Sequence, residues 1–261
     1  MTICYQKINI SYEIYGSGKA IVFLHGFLEN KEMWQPLLLY LKDYQVITID
    51  LLGHGTSEIL SNCHTMENQA EMIAFVLKKS LINQAIFVGH SMGGYVALAL
   101  LEKKPELFKA LVLQNSTTKA DSDERKTIRT RFNKLINNNF KTTVSMSISN
   151  LFSNNFRQNH QDIIKETQKT ALKTTIEGVK AAQEGMKMRK DTTEVWRNST
   201  IEKCLVLGVK DEILDYNTTQ EIASENDLFL LPNGHMSHLE DQEELIKIYQ
   251  NFFTKISTSL E

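Results

Sequence analysis

The sequence predicts an α/β fold: a mostly parallel sheet flanked by helices, with a helical cap inserted late in the chain. Three observations predict it. Short apolar runs of strand character alternate with segments of helical periodicity, and strands joined through helices imply crossovers and parallel pairing. The stretch Ala85-Ile86-Phe87-Val88-Gly89-His90-Ser91-Met92-Gly93-Gly94 places a tight turn between one such run and an Ala- and Leu-rich helical segment. From about Thr117 to Trp196 the rhythm stops, and the composition shifts to Lys, Arg, Asn, Thr and Gln.

In chain order, residues 3–15 alternate apolar and polar over two runs, Ile3 to Ile8 and Ile10 to Tyr15, and read as a hairpin ended by Gly16-Ser17-Gly18. Ala20 to Leu24 is a continuous apolar strand suited to burial on both faces. A helical segment around Trp34 to Leu41 leads to a strand from Gln45 to Asp50. A helix over Met66 to Lys79 precedes the strand before Ser91, and Ala110 to Leu113 forms one more strand. The spacing of Ile128, Phe132, Leu135 and Ile136, then Val144, Ile148, Leu151 and Phe152, predicts amphipathic helices for the interruption. A structureless loop of that length inside a compact domain is improbable. The core is therefore assigned to residues 1–116 and 197–261, and the cap to residues 117–196. The βα rhythm resumes with a strand at Cys204 to Gly208, a helix near Asn217 to Ser224, a strand at Leu228 to Leu231 and a final helix from about Gln242 to Ile256.

Composition narrows the function classes. The 261 residues carry a net charge of −2, which gives no electrostatic footprint for nucleic acid or an anionic membrane. Cys4, Cys63 and Cys204 are odd in number and widely separated, so they suggest neither a disulfide framework nor a zinc site. With no basic-then-apolar leader and no apolar run of transmembrane length, the expected location is the cytoplasm. The sequence leaves the oligomeric state open.

The chemistry starts at Gly89-His90-Ser91-Met92-Gly93. The G-x-S-x-G spacing alone arises by chance in roughly one chain in ten of this length. Its strand-turn-helix context is what a nucleophile elbow requires, so Ser91 is the expected nucleophile. A serine hydroxyl needs a general base, usually histidine, and in sheets of this type the acid and then the histidine follow the serine. Gly208-Val209-Lys210-Asp211 puts an acid just past a strand, with Glu212 and Asp215 as alternatives. Gly234-His235 follows the last strand, with His238 as a competitor three residues on. Asp211 and His235 both emerge at the same carboxyl edge as Ser91, and Gly234 favours His235 over His238 because a flexible approach lets the ring reach Ser91. The Met92 amide, and the Phe27 amide in the turn after Ala20–Leu24, are the expected oxyanion donors. His25, His54 and His90 flank tight turns and read as supports for the backbone, whereas His64 and His160 read as solvated.

These blocks together resemble the α/β-hydrolase fold superfamily: His25-Gly26-Phe27, Asp50 to Ser57, Gly89 to Gly94, Gly208 to Asp211 and Gly234-His235. The resemblance covers essentially the whole chain. It implies an eight-stranded, mostly parallel sheet with a lid, and a serine hydrolase needing no cofactor or metal. The substrate would be a small-molecule carboxylic ester, cleaved through an acyl-enzyme on Ser91. Haloalkane dehalogenases and epoxide hydrolases of this fold carry Asp at the elbow, where this chain has Ser91. The pyruvate-eliminating synthase of the menaquinone pathway is similar at His25 to Leu28 but typically has Arg where Tyr95 stands. The meta-cleavage C–C hydrolases usually have Asn in place of His90. Elimination, C–C cleavage and ligand binding without turnover remain the alternatives. Specificity is expected mainly from the cap: Met146, Phe152, Met186 and Trp196 from the cap, with Phe27, Trp34 and Met92 near the elbow, are the candidate substrate-binding residues.

Overall fold

The computed structural model describes residues 1–214, 216–224 and 226–258. Eight strands form one sheet: β1 (Thr2–Tyr5), β2 (Ile8–Tyr15), β3 (Lys19–Leu24), β4 (Tyr44–Ile49), β5 (Ala85–His90), β6 (Phe108–Gln114), β7 (Glu202–Gly208) and β8 (Leu228–Leu231). Their spatial order is β1-β2-β4-β3-β5-β6-β7-β8. The first two strands pair antiparallel with each other and with β4, and every pairing from β4 to β8 is parallel.

The hairpin breaks at a place the alternation does not mark. Tyr5 pairs with Ile8, so Gln6 and Lys7 form a two-residue turn with φ of 47° and 72°. Both turn residues adopt positive φ, as a type I′ turn demands, but neither is the Asn or Gly that usually announces one. A second departure lies at Lys31–Tyr40, which winds as a 3-10 helix around Pro36 rather than as an α-helix. Proline lacks an N–H and its ring clashes with the carbonyl four residues back in an α-helix, so tighter winding is favoured there.

The continuous apolar strands are explained by burial on both faces. Along β3, Val22 and Leu24 join one core layer while Ile21 and Phe23 join the other. The same alternation holds in β6, with Leu111 and Leu113 on one side and Ala110 and Val112 on the other. The first layer is closed by α1 (Met66–Lys79) and α2 (Met92–Lys103), the second by the 3-10 helix and α10 (Gln242–Thr258). On the roughly 25 cal/mol per Å² scale, each fully buried Leu, Ile or Phe contributes about 1.5–3 kcal/mol before entropy is counted.

Five helices occupy the chain between β6 and β7: α3 (Asp123–Ser149), α4 (Asn154–Asn159), α5 (Gln161–Ala171), α6 (Ile176–Met188) and α7 (Thr193–Asn198). The first is a single long helix interrupted at Asn139, whose φ of −135° and ψ of 42° are not helical. That break falls in Asn137-Asn138-Asn139, where short polar side chains compete with the helical backbone. Ile136, Val144, Ile148, Phe152 and Ile164 bury a separate apolar cluster together with Leu28 and Met236 from the sheet's loops. The inserted helices are thereby fastened to the loops after β3 and β8. Two short helices complete the chain, α8 (Tyr216–Gln220) and α9 (Ser237–Glu240).

Candidate active site

In an open sheet, ligands bind at the carboxyl ends of strands where the strand order reverses. Here β3 lies between β4 and β5, so the loops after β3 and β5 open at that switch point. Ser91 follows β5 directly and starts α2 with φ of 50° and ψ of −115°. A positive φ is costly for a serine, and persists only where the surroundings enforce it. They do so here by close approach: a Cβ on Gly93 would lie 2.2 Å from the Leu24 carbonyl oxygen, so the turn is locked against β3. The Ser91 amide donates to the Gln114 carbonyl at 3.0 Å, and Ser116 Oγ donates to the Ser91 carbonyl at 2.8 Å.

Asp211 follows β7 and is nearly enclosed. Its Oδ1 accepts the amides of Ile213 (2.8 Å) and Leu214 (3.1 Å), and its Oδ2 accepts Asn115 Nδ2 at 3.2 Å. The same Oδ2 lies 2.6 Å from His235 Nδ1. Burial pushes the Asp211 carboxyl up, but the facing imidazole, its hydrogen bond and the two amides hold it below the usual carboxylate range. An ionised Asp211 fixes the His235 tautomer with the proton on Nδ1, which turns Nε2 into an acceptor. His235 and Ser91 line one cavity of about 180 Å³. Among the described residues Ser91 Oγ and His235 share no hydrogen bond; in unliganded sites such contacts often form only with substrate.

Phe27 lines this cavity as well, and its loop is shaped by Leu28 with φ of 66°. Met92 opens α2, and its side chain is packed in the core under the sheet. As the first residue of the helix its amide has no intrahelical acceptor. Among the described residues neither the Phe27 nor the Met92 amide meets an acceptor.

Of the substrate-binding candidates, Met186 reaches the cavity. The other four are corrections to the sequence reading. Trp34 is fully buried on the far layer against Phe23, because the 3-10 helix turns it toward the sheet. Trp196 packs under the sheet, and its Nε1 donates to the Ile222 carbonyl at 2.8 Å. Phe152 stacks on Phe156 inside the cluster of inserted helices. Met146 is 61% exposed on the outer face of α3. One histidine differs from expectation: His64 is buried and accepts the Leu60 amide at 3.2 Å; His238, the competitor to His235, is buried as well. Asp215 lies outside the described residues. Glu212 is exposed and faces Arg157 at 4.0 Å.

The sequence marks His90 as a support for the backbone, but its partner Glu29 and the bridging Asn115 were missed. His90 places Nδ1 at 2.7 Å from Glu29 Oε2 and Nε2 at 3.1 Å from the His235 carbonyl. Both ring nitrogens face acceptors, an arrangement that the doubly protonated, charged ring satisfies at both ends. Burial opposes that charge, but Glu29 outweighs it and the His90 pKa is raised. Burial likewise opposes ionisation of Glu29, yet the facing His90 and its hydrogen bond hold its pKa at about 2. Glu29 Oε2 also accepts the Gly26 amide at 2.7 Å. Glu29, His90 and His238 offer atoms within 4.8 Å of one another, a spacing that could hold a metal ion. The Glu29 and His90 atoms are already committed to each other, so a metal would have to displace that proton. Asn115, at the end of β6, bridges Asp211 to the Gly234 carbonyl (3.2 Å) and accepts Ser237 Oγ at 2.6 Å.

The cavity's remaining wall comes from α3, where Arg125, Ile128, Arg129 and Phe132 share one face. The periodicity of Ile128 and Phe132 marked that face in the sequence; the two arginines on it carried the signal that was overlooked.

Comparison with known proteins identifies the family to which this fold belongs. A family model described as alpha/beta hydrolase fold matches residues 19–242. The chain is 27% identical over 257 residues to 3-oxoadipate enol-lactonase 1 of Acinetobacter baylyi, covering 96% of this chain and 95% of that one. A malate-bound thermophilic esterase from Thermogutta terrifontis superposes with a TM-score of 0.89 at 26% identity, over 95% of this chain and 94% of its own. The enol-lactonase of Burkholderia xenovorans superposes with a TM-score of 0.88 over 97% of this chain and all of its own (100%); at 19% identity it speaks to fold alone. Among the described residues no helix is long and apolar enough to cross a membrane.

Proposed function

The chain belongs to the alpha/beta hydrolase fold family, and on that premise we propose that it is a serine hydrolase of small carboxylic esters, lactones included. The observation that carries this reading is the 2.6 Å contact between Asp211 and His235 in a site where Ser91 is held at positive φ. In this reading His235 Nε2 takes the proton of Ser91 as its oxygen attacks the ester carbonyl. Asp211 keeps the ring oriented and stabilises the imidazolium that forms. The Phe27 and Met92 amides receive the developing oxyanion, a contribution worth roughly a hundred- to a thousandfold per donor. His235 then returns the proton to the leaving alcohol, and a water activated by the same ring releases the acid. The relative named as an enol-lactonase supports including internal esters, since a lactone opens by the same acyl transfer.

A second reading, elimination without hydrolysis on the same scaffold, keeps one observation in its favour. Tyr95 stands where that synthase carries arginine, but Arg125 and Arg129 line the cavity from α3 and could bind a carboxylated substrate. Hydrolysis of p-nitrophenyl esters from acetyl to octanoyl by wild type and Ser91→Ala separates the two. Ser91-dependent release of p-nitrophenol supports the esterase; folded protein that turns over none of the series favours elimination, C–C cleavage or ligand binding.

A further inference from the structure

Resting on the hydrolase reading of this cavity, we propose that the ester it cleaves bears a free carboxylate, and that Arg125 binds that carboxylate. The start of α3 is fixed where Ser122 Oγ accepts the Arg125 amide at 3.1 Å. One face of the helix then presents Arg125, Ile128, Arg129 and Phe132 to the cavity that holds Ser91 and His235.

The two arginines differ in their partners. Arg129 is neutralised by Asp121, with Nε 2.5 Å from Oδ2, and its Nη1 donates to Gln183 Oε1 at 2.9 Å. Asp121 is further engaged by Arg189 at 2.5 Å, so one carboxylate serves two guanidinium groups. Arg125 donates to the Ile213 carbonyl and, among the described residues, pairs with no carboxylate. Among the described residues the one carboxylate lining the cavity, Glu29, is paired with His90. The wall therefore has an excess of positive charge, part of it in the Arg129–Asp121–Arg189 cluster and part at Arg125, which is the lining guanidinium without a carboxylate partner among the described residues.

A guanidinium drawn partly out of water without an anion bears a desolvation cost that a substrate carboxylate offsets. Its planar fork suits that group, and charge-assisted pairing is about twice as strong as a neutral hydrogen bond. A cavity of about 180 Å³ limits the partner to a short chain, such as a half-ester of a four- to six-carbon diacid or a carboxylated lactone. Ile128, Phe132 and Met186 supply apolar contact for the carbons between the two ends.

The test compares p-nitrophenyl hemiglutarate with p-nitrophenyl pentanoate, an ester of similar length without charge, in wild type, Arg125→Met and Arg125→Lys. The wild type is expected to favour the charged ester in kcat/KM. Arg125→Met should reduce that charged-to-neutral ratio roughly 10- to 100-fold, mainly through KM, and Arg125→Lys should restore part of it. Ser91-dependent hydrolysis with the same ratio in all three proteins overturns the carboxylate assignment and leaves the esterase reading intact. If neither ester is turned over, the hydrolase reading fails separately, and titration calorimetry with glutarate against glutaramide decides the binding question. Glutarate binding that disappears in Arg125→Met supports the assignment; equal or absent binding of both compounds overturns it.

Discussion

His90 Nε2 donates to the backbone carbonyl of His235 at 3.1 Å, joining residues 145 positions apart. Its other nitrogen holds Glu29, and Glu29 holds the Gly26 amide. One buried ion pair thus ties the loop after β3, the elbow after β5 and the loop after β8. In the proposed mechanism these loops supply an oxyanion donor, the nucleophile and the base.

Removing one partner of that pair should be expensive. Glu29→Ala leaves His90 with no counter-charge and frees the Gly26 amide, so a loss of about 3–5 kcal/mol is expected in urea unfolding. Glu29→Gln keeps the shape and an acceptor and should cost less. Where the variants stay folded, misplacement of the loops should lower kcat roughly 10- to 100-fold. A Glu29→Ala protein as stable and active as wild type would remove the clamp from this account.

Acid should destabilise the fold well above the carboxylate range. Burial depresses the pKa of His54 and His238 to about 3 and of His64 to about 4, against 6.5 for the free side chain. Below pH 6.5 the unfolded chain takes up protons that these native rings refuse, so stability is lost as pH falls. Each ring contributes about 1.4 kcal/mol per pH unit between its two pKa values. His90 runs the other way: its raised pKa adds stability below 6.5 that is lost as pH rises through the folded value. Glu29, held at about 2, gives stability present above its ordinary value of 4.5 and lost as pH falls toward 2. The urea midpoint, followed by fluorescence of the buried Trp34 and Trp196, should drop steadily from pH 7 to pH 5. A flat profile would contradict the burial of neutral histidines.

The two neighbouring histidines should behave differently. His235 contacts Asp211 and lines the cavity; His238 is buried behind it, 3.5 Å from Glu29 and with no partner for Nδ1 among the described residues. His235→Ala should lower kcat/KM by roughly a thousandfold or more, and Asp211→Asn by about 10⁴-fold through loss of the correct tautomer. His238→Ala should stay within about tenfold of wild type while unfolding more easily. The reverse ranking would move the base to His238.

The parts of this molecule that were legible in the sequence are those set by local chemistry. Strand runs such as Ala20–Leu24 reveal themselves because both faces are buried, and the elbow reveals itself because close packing demands Gly89 and Gly93. What stayed hidden depends on pairing at long range. Glu29 reads as an ordinary surface acid until His90 is seen beside it, 61 residues away in sequence. The side chains of Trp34 and Trp196 could not be assigned a face from their own periodicity, because bulky apolar residues suit a core and a pocket equally well. The turn at Gln6-Lys7 was concealed because neither residue is a usual carrier of positive φ.

In the proposed mechanism Ser91 is an activated nucleophile, and active-site titration checks this without an intervening assay. Folded protein would be treated with a fluorophosphonate, and the modified peptide located by mass spectrometry in wild type and His235→Ala. One equivalent of label is expected on Ser91 in wild type, with loss of esterase activity in proportion and labelling slowed by orders of magnitude in His235→Ala. Folded wild type that remains unlabelled, or is labelled at another residue, would contradict it.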